Sequence, residues 1–559
     1  MTTNLPEKIH AVQLTGVDKL ELNKEKPLVK PGPHQLLCKV QAVGLCFSDL
    51  KLLKQFDKHP RKTPCLSGID KDALKEIPSY VPNDQPTVPG HEVVVEVVEA
   101  GPDTKTEVGT RALVQTDYRW IKTSANNAAF GYNFEGALQE YVIMDERVII
   151  SPQGESMLIP VPRKGLNAAA ICLVEPWACV EDAYVSKERQ TALAGGKMLV
   201  VVDAGYKPKG VEDTFSPDGP PKSVTCYAVE DAVVKDLCSK NEVECIDDMD
   251  DLPDDAAYDD IIYFGNDKDT VEKLDRMLAP GGLLNIVQAG KKFNQEINIS
   301  VGRIHYGHIR FVGTITDSAA DSLKAIPEIP ELREGEKVLV VGAAGPMGVM
   351  HVIRCLCQGV KDVEVYATDF DDIRLSALYD KAAPLAQKNG LHYQSFNPSE
   401  HKNIPQGSYT QIMVPIPDLV AQAVRDSLPK GIINIFAGIP ATVFHDIDMD
   451  AYIEKKLYFV GTSGSSIDDM RIVLKKVAGD KLDTNVSVAA VSGMAGAIDG
   501  IRAVENRSIS GKIIVYPELQ NLPLVKVEEL EEKYPSVYEK MDKGLWTQAA
   551  EDELLRKAS

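Results

Sequence analysis

One phrase occurs twice in this chain, and it limits the fold more than any other feature. RFVGTITDSAADSLK (310–324) and YFVGTSGSSIDDMRIVL (458–474) both carry FVGT followed by a Ser/Asp-rich helix start. Each closes a stretch with the same order of parts. The first holds strands MLVVV, SVTCYAV, DDIIYFG and GLLNIV, with the helix TVEKLDRMLAPGG before the last. The second holds VLVVG, VEVYATD, QIMVPI and GIINIFAG, with LVAQAVRDSLPKG in the matching place. Continuous apolar strands alternating with helices specify a parallel sheet covered on both faces. A match at three points in one order specifies that the unit is present twice.

The copies differ where a nucleotide would sit. In the second, KVLVVGAAGPMGVMHVIRCL (337–356) sets Gly342, Gly345 and Gly348 between strand and helix, with Pro346 and Met347 opening the helix. Small residues there admit a pyrophosphate to the backbone, and the helix N-terminus supplies N–H groups and partial positive charge. Asp369 closes the next strand, where a carboxylate accepts hydrogen bonds from both ribose hydroxyls of NAD and repels a 2′-phosphate. The competing reading makes Asp369 a cap for the helix at 370–380. Arg374, one turn on, is expected near the adenine. In the first copy, KMLVVVDAGYKPKG (197–210) puts Lys207-Pro208-Lys209 where the glycine loop belongs, and no good helix follows. Proline removes an N–H donor and the missing helix removes its dipole, so residues 195–325 are expected not to bind NAD.

Residues 8–150 read as short strands broken by Gly/Pro turns, a barrel or sandwich, with 57–87 as an inserted surface loop. From 166 the pattern turns helical through LNAAAICLVEPWACVEDAYVSK. After 475 the chain returns to strands through GKIIVYP and ends in KVEELEEKYPSVYEKMDKGLW, read as a solvated or subunit-covering helical tail.

With 559 residues the chain needs several cores. A net charge of −21 argues against non-specific nucleic-acid binding. No apolar run has the length to span a bilayer, and MTTNLPEKIHAVQL has no apolar signal segment. The ten cysteines lack a paired framework, which suits a reducing cytoplasm. All but Cys46 read as core filler.

GLCFSDLK places Cys46, Ser48 and Asp49 within one turn; GHE supplies His91 and Glu92, and LVEPWACV supplies Glu175. A thiolate, an imidazole and a carboxylate or two suit zinc, catalytic if one position stays open. Ser48 would then carry a proton from the substrate alcohol, and Asp49 would fix the tautomer of His91. A buried free cysteine and a strand histidine remain the alternative.

The order GLCFSD, GHE, EPWACV, GAAGPMG and SGKIIVYP resembles the medium-chain dehydrogenase/reductase family, the zinc alcohol and polyol dehydrogenases, over nearly the whole chain. The resemblance implies an α/β plus β architecture: a GroES-like β-barrel catalytic domain with two tandem Rossmann-like parallel-sheet units. The domains expected are 1–190, completed by 475–559, for catalysis; 191–328 for the incomplete unit; and 329–474 for NAD. It implies one catalytic zinc on Cys46 and His91 with Glu92 or Glu175, as in the sorbitol-dehydrogenase-like branch, and assembly as dimers or tetramers. GRIHYGHIRFVGT, GTSGSSIDDM and ATDFDDIRL are most similar to the sugar- and sugar-phosphate-active members. Three departures accompany this. Residues 100–150 hold no cysteine, so a structural zinc is not expected. Lys51 stands where many relatives place a relay histidine, and there are two units where relatives have one.

The expected activity is zinc- and NAD-dependent oxidation of a secondary alcohol, reversible with the ketone, on a polyol, sugar or sugar phosphate. Arg119, Lys122 or Lys51 would meet a phosphate. The alternatives are the same chemistry on an amino-acid alcohol or simple alcohol, and a non-catalytic binding or assembly protein.

Overall fold

The computed structural model describes residues 5–161, 165–239, 241–252, 257–462 and 464–558. The chain forms two compact units, Met1–Ala178 with Ser465–Ser559, and Cys179–Gly464.

The first unit is built on an eight-stranded sheet in which Gln35–Gly44 is central. Gln35–Gly44 pairs antiparallel with Glu92–Ala100, with Tyr141–Asp145 and with the late strand Lys512–Val515. Gly44 lies opposite Glu92 on one side and Ile514 on the other. Three distant segments therefore end side by side, and this register positions the site. Val93, Val95, Val97, Cys38, Val40 and Val43 form part of the core around it.

Two expectations need amending here. Segment 57–87 lies largely at the surface, yet it is anchored through buried side chains: Lys62 is fully buried and donates to the carbonyl oxygens of Val81 and Gln85 (2.9 Å to the latter). The tail is not solvated. Leu530, Val537, Trp546 and Leu554 are buried, and Glu551 accepts hydrogen bonds from the Ala169 amide (2.9 Å) and the Tyr516 hydroxyl (2.8 Å). Its charge density hid apolar anchors spread over three short helices, Leu530–Lys533, Pro535–Tyr538 and Gln548–Ala558, and the turn before the last.

The second unit holds two six-stranded parallel sheets of the same topology. One orders Glu242–Ile246, Ser223–Tyr227, Lys197–Val202, Tyr258–Phe264, Leu278–Val287 and Arg310–Thr314. The other orders His392–Phe396, Glu364–Thr368, Lys337–Val341, Tyr409–Ile412, Ile432–Ile435 and Tyr458–Val460. Both are doubly wound, with the order reversing beside the strand that precedes the glycine turn. They pair as equivalents. Ile297–Ile299 runs antiparallel to His445–Ile447, and one apolar cluster spans both sheets. The repeated FVGT is explained by this packing: a Cβ on Gly313 would fall 2.6 Å from Ile453, and one on Gly461 would fall 2.9 Å from the His305 Cα. Cys238 and Cys245 correct the core-filler reading, since both are exposed.

Candidate active site

Cys46 precedes the helix Phe47–Gln55, whose third residue is Asp49. The Asp49 carboxylate accepts from the Cys46 amide at 3.2 Å and lies 3.0 Å from His91 Nδ1. One buried side chain therefore ties the Cys46 turn to His91 and reserves Nδ1, leaving Nε2 for another ligand. Burial works most strongly against a charged His91, but Asp49, Tyr132 and Cys46 together outweigh it and hold the imidazole well above its ordinary pKa. The ligand atoms of Cys46, His91 and Glu92 all lie within 4.8 Å of one another.

Glu92 is completely buried. Its Oε1 accepts from the Lys512 ammonium, which also donates to the Leu45 carbonyl at 2.9 Å. Burial opposes the Lys512 charge, yet Glu92 and Cys46 raise its pKa above the ordinary lysine value. Glu92 Oε2 has no partner among the described residues. A Cβ on Gly44 would fall 2.2 Å from that oxygen, so only glycine leaves it room. An orphaned buried carboxylate oxygen beside a thiol and an imidazole fits a zinc ion, which accepts this donor set. Glu175, in the first turn of Val174–Val185, is not in the cluster. Burial, then the neighbouring Glu92 charge, pushes its carboxyl up to about 7 against the pull of His91. Ser48 is half-buried two residues after Cys46; Lys51 is exposed three residues further, on the same helix face as Ser48.

Sequence reading missed Lys512, Tyr132, His59 and Arg61. The Tyr132 ring stands 5.9 Å from His91 and 5.0 Å from His59, and the Arg61 guanidinium lies 5.7 Å from its centre. Burial, with help from Arg61 and Lys51, pushes His59 down to about 4. No local pattern marks these residues; Lys512 is 420 positions from its partner. Arg119 donates to the Ser465 carbonyl at 2.7 Å and Lys122 to Asn127 at 2.7 Å, so both have local partners.

In the second unit, Gly342 has φ +79 and its amide donates to the Thr368 carbonyl at 2.8 Å. A Cβ on Gly348 would fall 2.6 Å from the Ala343 carbonyl oxygen, so glycine lets the helix Pro346–Cys357 seat on the loop. Gly345 faces space, its nearest atom 3.9 Å from an added Cβ. Met347 is half-buried in the first turn. The helix after Asp369 is capped by Asp371, whose carboxylate accepts from the Arg374 amide at 3.1 Å and pairs with its guanidinium at 3.3 Å. Asp369 is free of that duty and accepts from the Ala344 amide at 3.1 Å. Phe370 and Ile373 beside it are 74% and 84% exposed, an apolar flank suited to an adenine ring.

The corresponding turn of the first copy is filled. Asp203 accepts from the Tyr263 hydroxyl, Tyr206 donates to Asn266 at 2.8 Å, and Lys209 pairs with Asp317 at 3.1 Å. Lys197–Val202 is followed by a single short turn, Glu212–Thr214, before the next strand.

Comparison with known proteins gives four results. The alcohol dehydrogenase GroES-like domain family matches residues 32–153. The chain is 25% identical to L-sorbose 1-phosphate reductase of Klebsiella pneumoniae over 41% of this chain and 56% of that protein, so little more than half of that relative is spanned. It is 28% identical to mannitol-1-phosphate 5-dehydrogenase of Aliivibrio fischeri over 53% of this chain and 76% of that protein. Among solved structures, 2R,3R-butanediol dehydrogenase from Bacillus subtilis superposes with a TM-score of 0.51 at 14% identity, covering 91% of this chain and all of that one. That likeness concerns the fold alone.

Proposed function

We propose that the chain is a medium-chain alcohol and polyol dehydrogenase that moves a hydride between NAD(H) and a secondary alcohol or ketone of a polyol, sugar or sugar phosphate, a reading supported by its alcohol dehydrogenase GroES-like domain and by its phosphate-sugar relatives. The observation that carries the zinc part is the orphaned Glu92 oxygen inside the Cys46–His91–Glu92 cluster. Zinc at that place supplies Lewis-acid polarisation of the substrate oxygen, and NAD supplies the hydride acceptor.

The chain's own residues do the rest. Asp49 fixes the His91 ring and directs Nε2 inward. Lys512 offsets the negative charge of the fully buried Glu92 and, beside it, of a half-buried Cys46 thiolate. Ser48 takes the substrate's hydroxyl proton and passes it outward, with Lys51 next on the same helix face. Glu175, with its raised pKa, exchanges a proton near neutrality without a large driving force. Gly342–Gly348 and the helix N-terminus receive the pyrophosphate, and Asp369 receives the ribose hydroxyls.

The phosphate-bearing substrate class is supported by two relatives named for sugar or polyol phosphates. Arg61, held over Tyr132 with Asp117 at 3.5 Å, is the cation we assign to that phosphate. Among the described residues no helix is long and apolar enough to cross a membrane; a small-molecule substrate and a homo-oligomeric state complete the proposal. The test is a panel of polyols, sugars and their phosphates with NAD⁺ or NADH, run on wild type and Cys46→Ser. Wild type should turn over a phosphorylated member, and Cys46→Ser should lose zinc and activity while its circular dichroism is unchanged. Full activity in Cys46→Ser would sink the zinc assignment.

A further inference from the structure

The phrase VGRIHYGHIRFVGT lies in the incomplete unit, yet its helix, Val301–Tyr306, has neighbours in the complete one. A Cβ on Gly302 would fall 1.9 Å from the Pro440 carbonyl oxygen, and one on Gly438 would fall 2.7 Å from the Tyr306 hydroxyl. His305, 7% exposed, places Nδ1 3.2 Å from the Ile435 carbonyl and sets its ring edge-on to Phe436 at 6.3 Å. Residues 436–440 follow directly on the strand Ile432–Ile435 at its carboxyl end.

That position has a meaning in a doubly wound sheet. Ligands lie across the carboxyl ends of the strands, and a dinucleotide spans the point where strand order reverses. Asp369 and Gly342–Gly348 mark the adenosine and pyrophosphate over Glu364–Thr368 and Lys337–Val341. The other half of the ligand then crosses Tyr409–Ile412 toward Ile432–Ile435. Tyr306, 40% exposed, stands at that end.

The reciprocal contact has opposite chemistry. Counting back equally from the two FVGT glycines, Asp450 corresponds to Gly302 and Glu454 to Tyr306. Asp450 accepts from the amides of Phe293 (3.0 Å) and Asn294 (2.8 Å) and from Gln288 Nε2 (2.6 Å), at the strand ends of the incomplete unit. Glu454 pairs with Lys292 at 2.5 Å. Carboxylates consume the donors on one side and would repel a pyrophosphate there; glycine and an aromatic ring leave the other side open.

We infer that the incomplete unit forms a wall of the complete unit's dinucleotide site: Tyr306 lines its nicotinamide end, and His305 is a positioning residue that holds the Ile435–Phe436 strand end against it. This rests on the complete unit being the dinucleotide site. It accounts for the retention of a copy whose own loop is filled.

The test compares NADH with ADP-ribose, which lacks only the nicotinamide, by titration calorimetry on the full chain. Tyr306→Ala should weaken NADH about tenfold, and ADP-ribose by less than about twofold. Gly438→Ala, which drives a methyl group at the Tyr306 hydroxyl, should repeat the pattern, while Tyr306→Phe should keep most of the NADH affinity. If Tyr306→Ala leaves both affinities unchanged or lowers both equally while Asp369→Ala weakens both, the wall is overturned and the site stands. If wild type binds neither ligand, the dinucleotide site itself fails and the inference falls with it.

Discussion

Glu92 has one oxygen on Lys512 and the other on nothing among the described residues, inside a core that excludes water. Such a carboxylate is costly unless something positive completes it, so this residue argues for a metal more strongly than the motif that contains it. The Cys46, His91 and Glu92 constellation was legible from residue type and order. Lys512 was not, because only the pairing of Gly44 with Ile514 brings the late strand beside Glu92. Another buried residue gives a prediction about acid. His351 lies fully buried with Nδ1 2.9 Å from the Tyr184 hydroxyl, and burial, then the Arg354 charge, pushes its pKa down to about 3. The unfolded chain takes up a proton near pH 6.5 that the folded chain refuses. Stability from this group is therefore complete above about pH 6.5 and is lost as pH falls toward 3, at up to roughly 1.4 kcal/mol per pH unit. Denaturant midpoints of wild type and His351→Gln between pH 7 and 4 should show a shallower decline in the variant. Parallel declines would contradict the assignment.

At the scale of elements, the glycine loop was legible because strand, turn and helix agreed with the chemistry they serve. Asp369 looked equally suited to capping, and only the structure gives that duty to Asp371. The loop's glycines have separable roles. Gly348 is packed against the Ala343 carbonyl, so Gly348→Ala should lower the melting temperature and weaken NADH together. Gly345 has open space before it, so Gly345→Ala should keep the melting temperature and weaken NADH by about tenfold or more, through backbone approach alone. Equal effects of the two on stability would mean that the loop is packed differently. The tail was misread for the converse reason: its charges are plain in the sequence, whereas Trp546 and Leu554 gain meaning only from the surface they cover.

For the whole molecule, duplication was legible from the repeated FVGT, but its geometry was not. Sequence similarity between copies says nothing of which edges meet. Here the equivalent strands Ile297–Ile299 and His445–Ile447 run antiparallel, the self-complementary contact of a twofold pair made within one chain. A homo-oligomer must therefore use other surfaces. Light scattering should give a multiple of 61.1 kDa, and a single-chain mass would make the internal pair the entire assembly.

The central claim is one zinc per chain, on Cys46, His91 and Glu92, and one dinucleotide per chain, on the complete unit, with the incomplete unit forming a wall of that dinucleotide site and not a second one. Zinc content and NADH stoichiometry, determined together on the purified protein, test it most directly. The account predicts one zinc and one NADH per chain. Two NADH would make the filled turn at Asp203–Gly210 a second nucleotide site, and NADH without zinc would return Cys46 to the ordinary buried cysteines.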